Sequence, residues 1–271
     1  MKLSPERVIL DTNHAHEHGH GVGDHLYVHR HSFVHDLPAQ VKTVAAIVFI
    51  FMVVLTPIRA VGAFAIYLGL VFVVVKIADI PFPLVLKRML IEIPFVLFAV
   101  LMPFFGPEPR VEFLGLSLSQ EGLWAAFGIL AKGTIGVATS VTLAATTRAR
   151  DLLQGLEKIG VPDLLVQIAS FMLRYSAVVT DDLSRMKVAR ESRGFSASGI
   201  KHWKVLANSA GALFIRSYER GERVHLAMLS RGYNGTIIDL YQPIVTTRDW
   251  WTAMALPIVA ASIMVVAWIT L

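Results

Sequence analysis

Eight of the ten histidines, His14, His16, His18, His20, His25, His29, His31 and His35, fall between residues 14 and 35. Neutral imidazoles ligate Co(II), Ni(II) and Zn(II), and a run of them can gather on one ion. The irregular spacing and the glycines at 19, 21 and 23 predict no preorganised site. The expectation is a disordered tail that holds such ions transiently, against a solvated tail with no role in the chemistry. A second pattern is sharper: "ARESRGF" at residues 189–195 and "AMLSRGY" at 227–233 write one frame twice, 38 positions apart. Gly194 and Gly232, if left-handed just past a last helical turn, would stop two helices there. Arg193 and Arg231 would then stand at the tips, each a planar, permanently charged fork able to grip carboxylates or carbonyls in two places. Phe195 and Tyr233 would serve as the hydrophobic contact of each cap or as interface anchors. One such frame is what any capped helix end can look like. Two, matching also at Ser192 and Ser230, favour a partner with two similar sockets.

The elements that carry these residues follow from composition. Apolar residues make up 55% of the 271, charged residues only 17%, and mean hydropathy is +0.59, the profile of an all-α integral membrane protein. There is no cysteine, so neither disulfides nor thiolate metal sites are available. Residues 1–36 are polar, with no apolar run that would act as a signal peptide. About five membrane spans are expected, at Val41 to Leu55, Ile58 to Val75, Met89 to Phe105, Leu123 to Ala145 and Trp250 to Leu271. "TPIRA" between the first two reads as a tight turn. The second connection, with Lys76, Asp79, Lys87 and Arg88, is net positive, and the third, with Glu108, Arg110, Glu112 and Glu121, is net negative. Residues 147–249 carry fifteen Lys and Arg against ten acids. The positive-inside rule therefore predicts a cytoplasmic N-terminus and an external C-terminus in the cell membrane, with Trp250 and Trp251 at an interface. The expected domains are a His-rich tail at 1–36, four spans at 37–146, cytoplasmic helices at 147–249 and a last span at 250–271.

Within the cytoplasmic stretch a short helix should start near Thr147 and stop at Gly160, and a new one should start at Pro162-Asp163. Leu164, Leu165, Ile168, Phe171, Met172, Tyr175, Val178, Val179 and Met186 recur every three or four residues, giving an amphipathic helix with a wide apolar face. A second begins after Gly199 and runs to Ser230. Each long helix thus ends in one copy of the frame.

This arrangement resembles the T component, the energy-coupling transmembrane subunit, of energy-coupling-factor (ECF) transporters, and within it the cobalt-transport type called CbiQ. "HSFVHDLPAQVK", carrying Ser32 to Lys42, is similar to that family's Ser-x-x-His-x-Leu-x-Pro-x-x-Lys stretch, with Pro38 one place early. "LLQGLEKIGVPDLLVQIASFMLRY" resembles its segment before the first tip, and the usual Ala-Arg-Gly reads Ser-Arg-Gly in both copies. The resemblance implies that each Arg docks in a groove of one of two CbiO-type ATPase subunits. It also implies a CbiM-type substrate-binding membrane subunit, with the small CbiN, as a partner in cobalt import. Nickel or a vitamin is the alternative substrate. No G-x-x-x-x-G-K-[ST] loop is present, so ATP would be bound by the partners and this chain would be a non-catalytic subunit without a cofactor of its own.

Two charges fall inside spans. Lys132 stands in a ladder with Gly128, Gly136, Ser140 and Ala144, whose spacing predicts a face closely approached by another helix. Glu92, before Pro94, is its candidate partner. The pair reads either as a structural contact near a helix break, which is preferred, or as a transported-ion site. An intramembrane enzyme is disfavoured by the absence of H-E-x-x-H, and a stand-alone carrier by the sparse polar groups and the lack of an inverted repeat. The basic charge follows the positive-inside rule and needs no nucleic acid to explain it.

Overall fold

The computed structural model describes residues 26–28, 30, 32–106, 109–113, 116–195, 203–235 and 245–270. They form an all-α membrane protein with one short hairpin. In order, the elements are α1 (Phe33–Asp36), α2 (Ala39–Leu55), α3 (Val61–Ile77), α4 (Phe82–Arg88), a 3-10 turn (Met89–Glu92) and α5 (Ile93–Phe105). Then come β1 (Arg110–Phe113), β2 (Leu116–Ser119), α6 (Gln120–Thr146), α7 (Ala149–Ile159), α8 (Asp163–Glu191), α9 (Trp203–Leu229) and α10 (Thr247–Ile269). Helices α6, α8 and α10 are each long and apolar enough to cross a membrane, and α2 and α3 are shorter apolar helices. In α8, however, six charged residues crowd positions 181–191.

The chain divides into two compact units, one holding residues 171–234 and the other residues 26–170 and 235–271. The second unit is the bundle of apolar helices. Its core is built by Phe49 and Val53 of α2, Phe64, Tyr67 and Val71 of α3, Ile135 and Ala138 of α6, and Ala260 of α10. Tyr67 is fully buried. Its hydroxyl donates to the Ala260 carbonyl at 3.1 Å and lies 3.0 Å from the Thr56 hydroxyl, tying α10 to α2 and α3.

The third span departs from a single helix. Pro94 has no N–H for the bond a continuous helix would need one turn back, and Met89–Glu92 tightens into a 3-10 turn before α5 starts. The antiparallel pairing of β1 with β2 fills the third connection, which lacked any expected element. Ser119 then caps α6 by accepting from the Gly122 N–H at 3.1 Å.

The expected ladder on α6 is only partly a contact face. A Cβ on Gly136 would meet nothing within 4 Å, whereas Gly128 lies against the Ile58 side chain. The closest approaches come elsewhere on α6: a Cβ on Gly122 would lie 2.7 Å from the Met102 carbonyl oxygen, and one on Gly133 would lie 2.9 Å from Glu92 Oε1. The small residues that matter are those facing α5 and its 3-10 turn.

Described residues within the stretch expected to be tail make contacts of their own. Leu26, Tyr27, Val28 and Arg30 belong to the unit of the bundle: the Val28 N–H donates to the Ala145 carbonyl at 3.0 Å, Arg30 pairs with Asp79, and the Arg148 guanidinium lies 5.2 Å from the Tyr27 ring centroid.

Candidate functional site

Both repeated frames end helices, and they do so with the same bonds. At the end of α8 the Gly194 N–H donates to the Glu191 carbonyl at 2.9 Å, and the Phe195 N–H reaches back to the Arg190 carbonyl at 3.1 Å. At the end of α9 the Gly232 N–H donates to the Leu229 carbonyl at 3.0 Å, and the Tyr233 N–H to the Met228 carbonyl at 3.0 Å. These nested bonds are the Schellman cap, which requires a left-handed residue at its turn. Gly194 at φ 76° and Gly232 at φ 88° supply it.

The other shared letters have a part too. Ser192 donates its hydroxyl to the Ala189 carbonyl at 3.1 Å and Ser230 to the Ala227 carbonyl at 2.9 Å, so each serine satisfies a carbonyl left over in the last turn. Arg193 and Arg231 are exposed, while Phe195 and Tyr233 are half-buried, Tyr233 standing edge-on to His225. Each tip is a stiff, capped pedestal with an Arg on top. Side-chain hydrogen bonds join α8 to α9, from Arg190 to Ser209 at 2.7 Å and from Arg220 to Asp182 at 2.9 Å. Neither had been read from the sequence.

The intramembrane charges do not pair with each other. The Lys132 ammonium donates to the Val54 carbonyl at 2.6 Å and lies 6.0 Å from the centre of the Phe64 ring. The Val54 carbonyl is one of the four that α2 cannot satisfy internally, and the next, that of Leu55, accepts from Trp268 Nε1 at 3.2 Å. Lys132 therefore caps the negative end of α2, where a cation is favoured. Glu92 is buried, and its Oε1 accepts from the Thr134 hydroxyl at 2.9 Å. A charged hydrogen bond of this kind contributes about 2 kcal/mol. Lys132→Met is expected to lower the melting temperature of the purified protein in detergent and reduce its yield, with uptake per folded molecule unchanged. Normal stability with lost uptake would return Lys132 to an ion path.

Lys42, not singled out from its charge, does the same at the opposite end of α2. It is 8% exposed and donates to the terminal carbonyl of α6, Thr146, at 2.9 Å and to the His35 carbonyl at 3.3 Å. Its signal lay in the "HSFVHDLPAQVK" stretch. His35 is held by the same knot, with Nδ1 2.7 Å from the Ser32 hydroxyl and Nε2 3.2 Å from the Val28 carbonyl. Burial, and then the neighbouring Lys42 charge, push its pKa below the usual histidine value. With both nitrogens engaged, His35 stands apart from the other seven histidines of the 14–35 run, which lie outside the described residues. Among the described residues no group of three or more His, Cys, Asp or Glu could hold a metal ion.

Comparison with known proteins fits this anatomy. Residues 30–240, which include both tips, match the family described as cobalt transport protein, CbiQ. An uncharacterised protein of Methanocaldococcus jannaschii is 26% identical over 232 residues, 82% of this chain and 79% of its own length. The energy-coupling factor transporter transmembrane protein EcfT of Staphylococcus aureus is 26% identical over 231 residues, 78% and 83% of the two chains. The cobalt transport protein CbiQ of Rhodobacter capsulatus is 27% identical over 137 residues, 51% and 54%. A family match over most of the chain, with the paired tips inside it, places this protein in the CbiQ family of transmembrane T components of energy-coupling-factor transporters.

Proposed function

We propose that the chain is the coupling subunit of an ATP-driven cobalt importer. The observation that carries this reading is the pair of identically capped helix tips, each ending in an exposed Arg. On this reading α8 and α9 are the coupling helices on the cytoplasmic side, and Arg193 and Arg231 dock in grooves on a CbiO-type ATPase dimer. The ATPases bind and hydrolyse ATP; the chain passes their movement to a CbiM-type substrate-binding membrane subunit, with CbiN. The charge crowded into the last part of α8 supports a place outside the bilayer, because each such group costs about 2.5–3.5 kcal/mol at a span centre.

Helix α7 supplies the connection. It packs on α2 so tightly that a Cβ on Gly155 would lie 2.8 Å from the Gln40 backbone nitrogen. After α7 comes Gly160, left-handed at φ 105°, and then α8. A push on α8 thus enters the membrane bundle through α2.

The test is affinity purification of the chain from its native membrane in mild detergent, followed by uptake of labelled cobalt with nickel as competitor in reconstituted vesicles. An ATPase and a second membrane subunit should co-purify, and ATP should drive cobalt in ahead of nickel. Isolation of the chain alone, or uptake without ATP, would refute the assignment.

A further inference from the structure

Asp182 and Arg220 are joined across α8 and α9 by an ion pair whose side chains are 22% and 32% exposed. Asp182 stands eleven residues before Arg193, and Arg220 stands eleven before Arg231, so the partners occupy the same place in the two copies. The likeness of the copies reaches back to this point. An acid, Asp181 or Glu219, comes one residue earlier, and an arginine, Arg185 or Arg223, comes three residues later. A contact between equivalent positions is what a twofold relation produces, since residue i then meets j as j meets i. The second bond, Arg190 to Ser209, lies toward the end of α8 but toward the start of α9. The helices therefore run antiparallel past the ion pair. At about 1.5 Å rise per residue each tip lies roughly 16 Å from the pair, on opposite sides of it.

We propose that Asp182–Arg220 is a register lock: a positioning pair that gives the two tips equal and opposite reach from a local twofold, so that both meet a twofold-related pair of sockets at once. This role rests on the coupling function proposed above. The other ion pairs on α8, Asp181 with Arg185 and Lys187 with Glu191, lie within one helix and set no register between helices. If α9 slides along α8 by one turn, about 5.4 Å, the reaches become unequal and only one socket can be filled.

The absence of cysteine makes the lock measurable. Spin labels are placed at Lys187→Cys and Glu222→Cys, both exposed, in the full chain with its co-purified partners in lipid nanodiscs. The parent should give one narrow distance. Asp182→Arg should broaden it or move it by about 5 Å, one helical turn, and lower uptake about tenfold or more. Combining Asp182→Arg with Arg220→Asp should restore both, as expected of a directly coupled pair. An unchanged distance in Asp182→Arg, a swap that restores nothing, or a shifted distance with full uptake overturns the lock. If the parent retains no ATPase, the coupling function fails instead, while the distances still decide whether the pair sets register.

Discussion

Arg193→Glu and Arg231→Glu are each expected to abolish ATP-driven uptake and to strip the ATPase from the purified complex, while the membrane bundle stays folded. Both side chains are exposed in the isolated chain, and the cap bonds around them are made by backbone groups and the serine hydroxyls, so reversing their charge disturbs no contact that holds the helices. The loss falls on the partner. Removing one member of a buried, charge-paired contact costs about 3–5 kcal/mol, which converts to roughly 150- to 4,000-fold in affinity. Arg→Lys should fall between, because an ammonium keeps the charge but loses the two-pronged fork. The measurements are ATPase retention on the immobilised chain and uptake in vesicles. Full activity in both Glu variants would end the assignment of the tips.

Gly155→Ala should destabilise the protein, against the ordinary trend. In an open helix position the exchange stabilises by up to about 1 kcal/mol, and Gly211 of α9, where an added Cβ meets nothing within 4 Å, should follow that trend. At Gly155 the new Cβ would lie 2.8 Å from Gln40 N and 3.1 Å from Ala39 C and Gln40 Cα. All three atoms are backbone, so α7 and the start of α2 must separate, at about 1–3 kcal/mol. Thermal unfolding in detergent should therefore shift in opposite directions for the two variants, and uptake should fall for Gly155→Ala even where the protein still folds. Similar shifts at the two sites would mean that α7 is not clamped on α2.

The tips are written in the sequence more openly than the contacts of the bundle are. The tips were legible because a Ser-Arg-Gly frame states its own local geometry: Gly stops, Arg projects, and the aromatic follows. The starts and stops of α7 and α8 were legible for the same reason, in Gly160, Pro162 and Asp163. The bundle's polar contacts were not. Lys132 looked for an acid because charge suggests opposite charge, but it found the unsatisfied carbonyl at the end of α2. Which helix end lies within reach of a lysine depends on packing, and no local pattern encodes that. The Lys42–Thr146 and Tyr67–Ala260 bonds escaped for the same reason, each joining residues far apart in sequence. The ladder on α6 misled because small residues mark a face able to be approached, while Gly122 and Gly133 mark where α5 and Glu92 arrive. Asp182 and Arg220 were within reach of the repeat itself, since their 38-residue spacing equals that of the tips.

The hydroxyl of Tyr67 also says something about the order of assembly. Its acceptor, the Ala260 carbonyl, lies 193 residues further along the chain. At about 5–20 residues per second of synthesis, α2 and α3 wait roughly ten to forty seconds for the helix that completes their core. Helices α8 and α9, which carry the two Ser-Arg-Gly tips, are made during that interval. Both tips are thus made before the bundle can close, and α10 is the helix that seals α2 and α3.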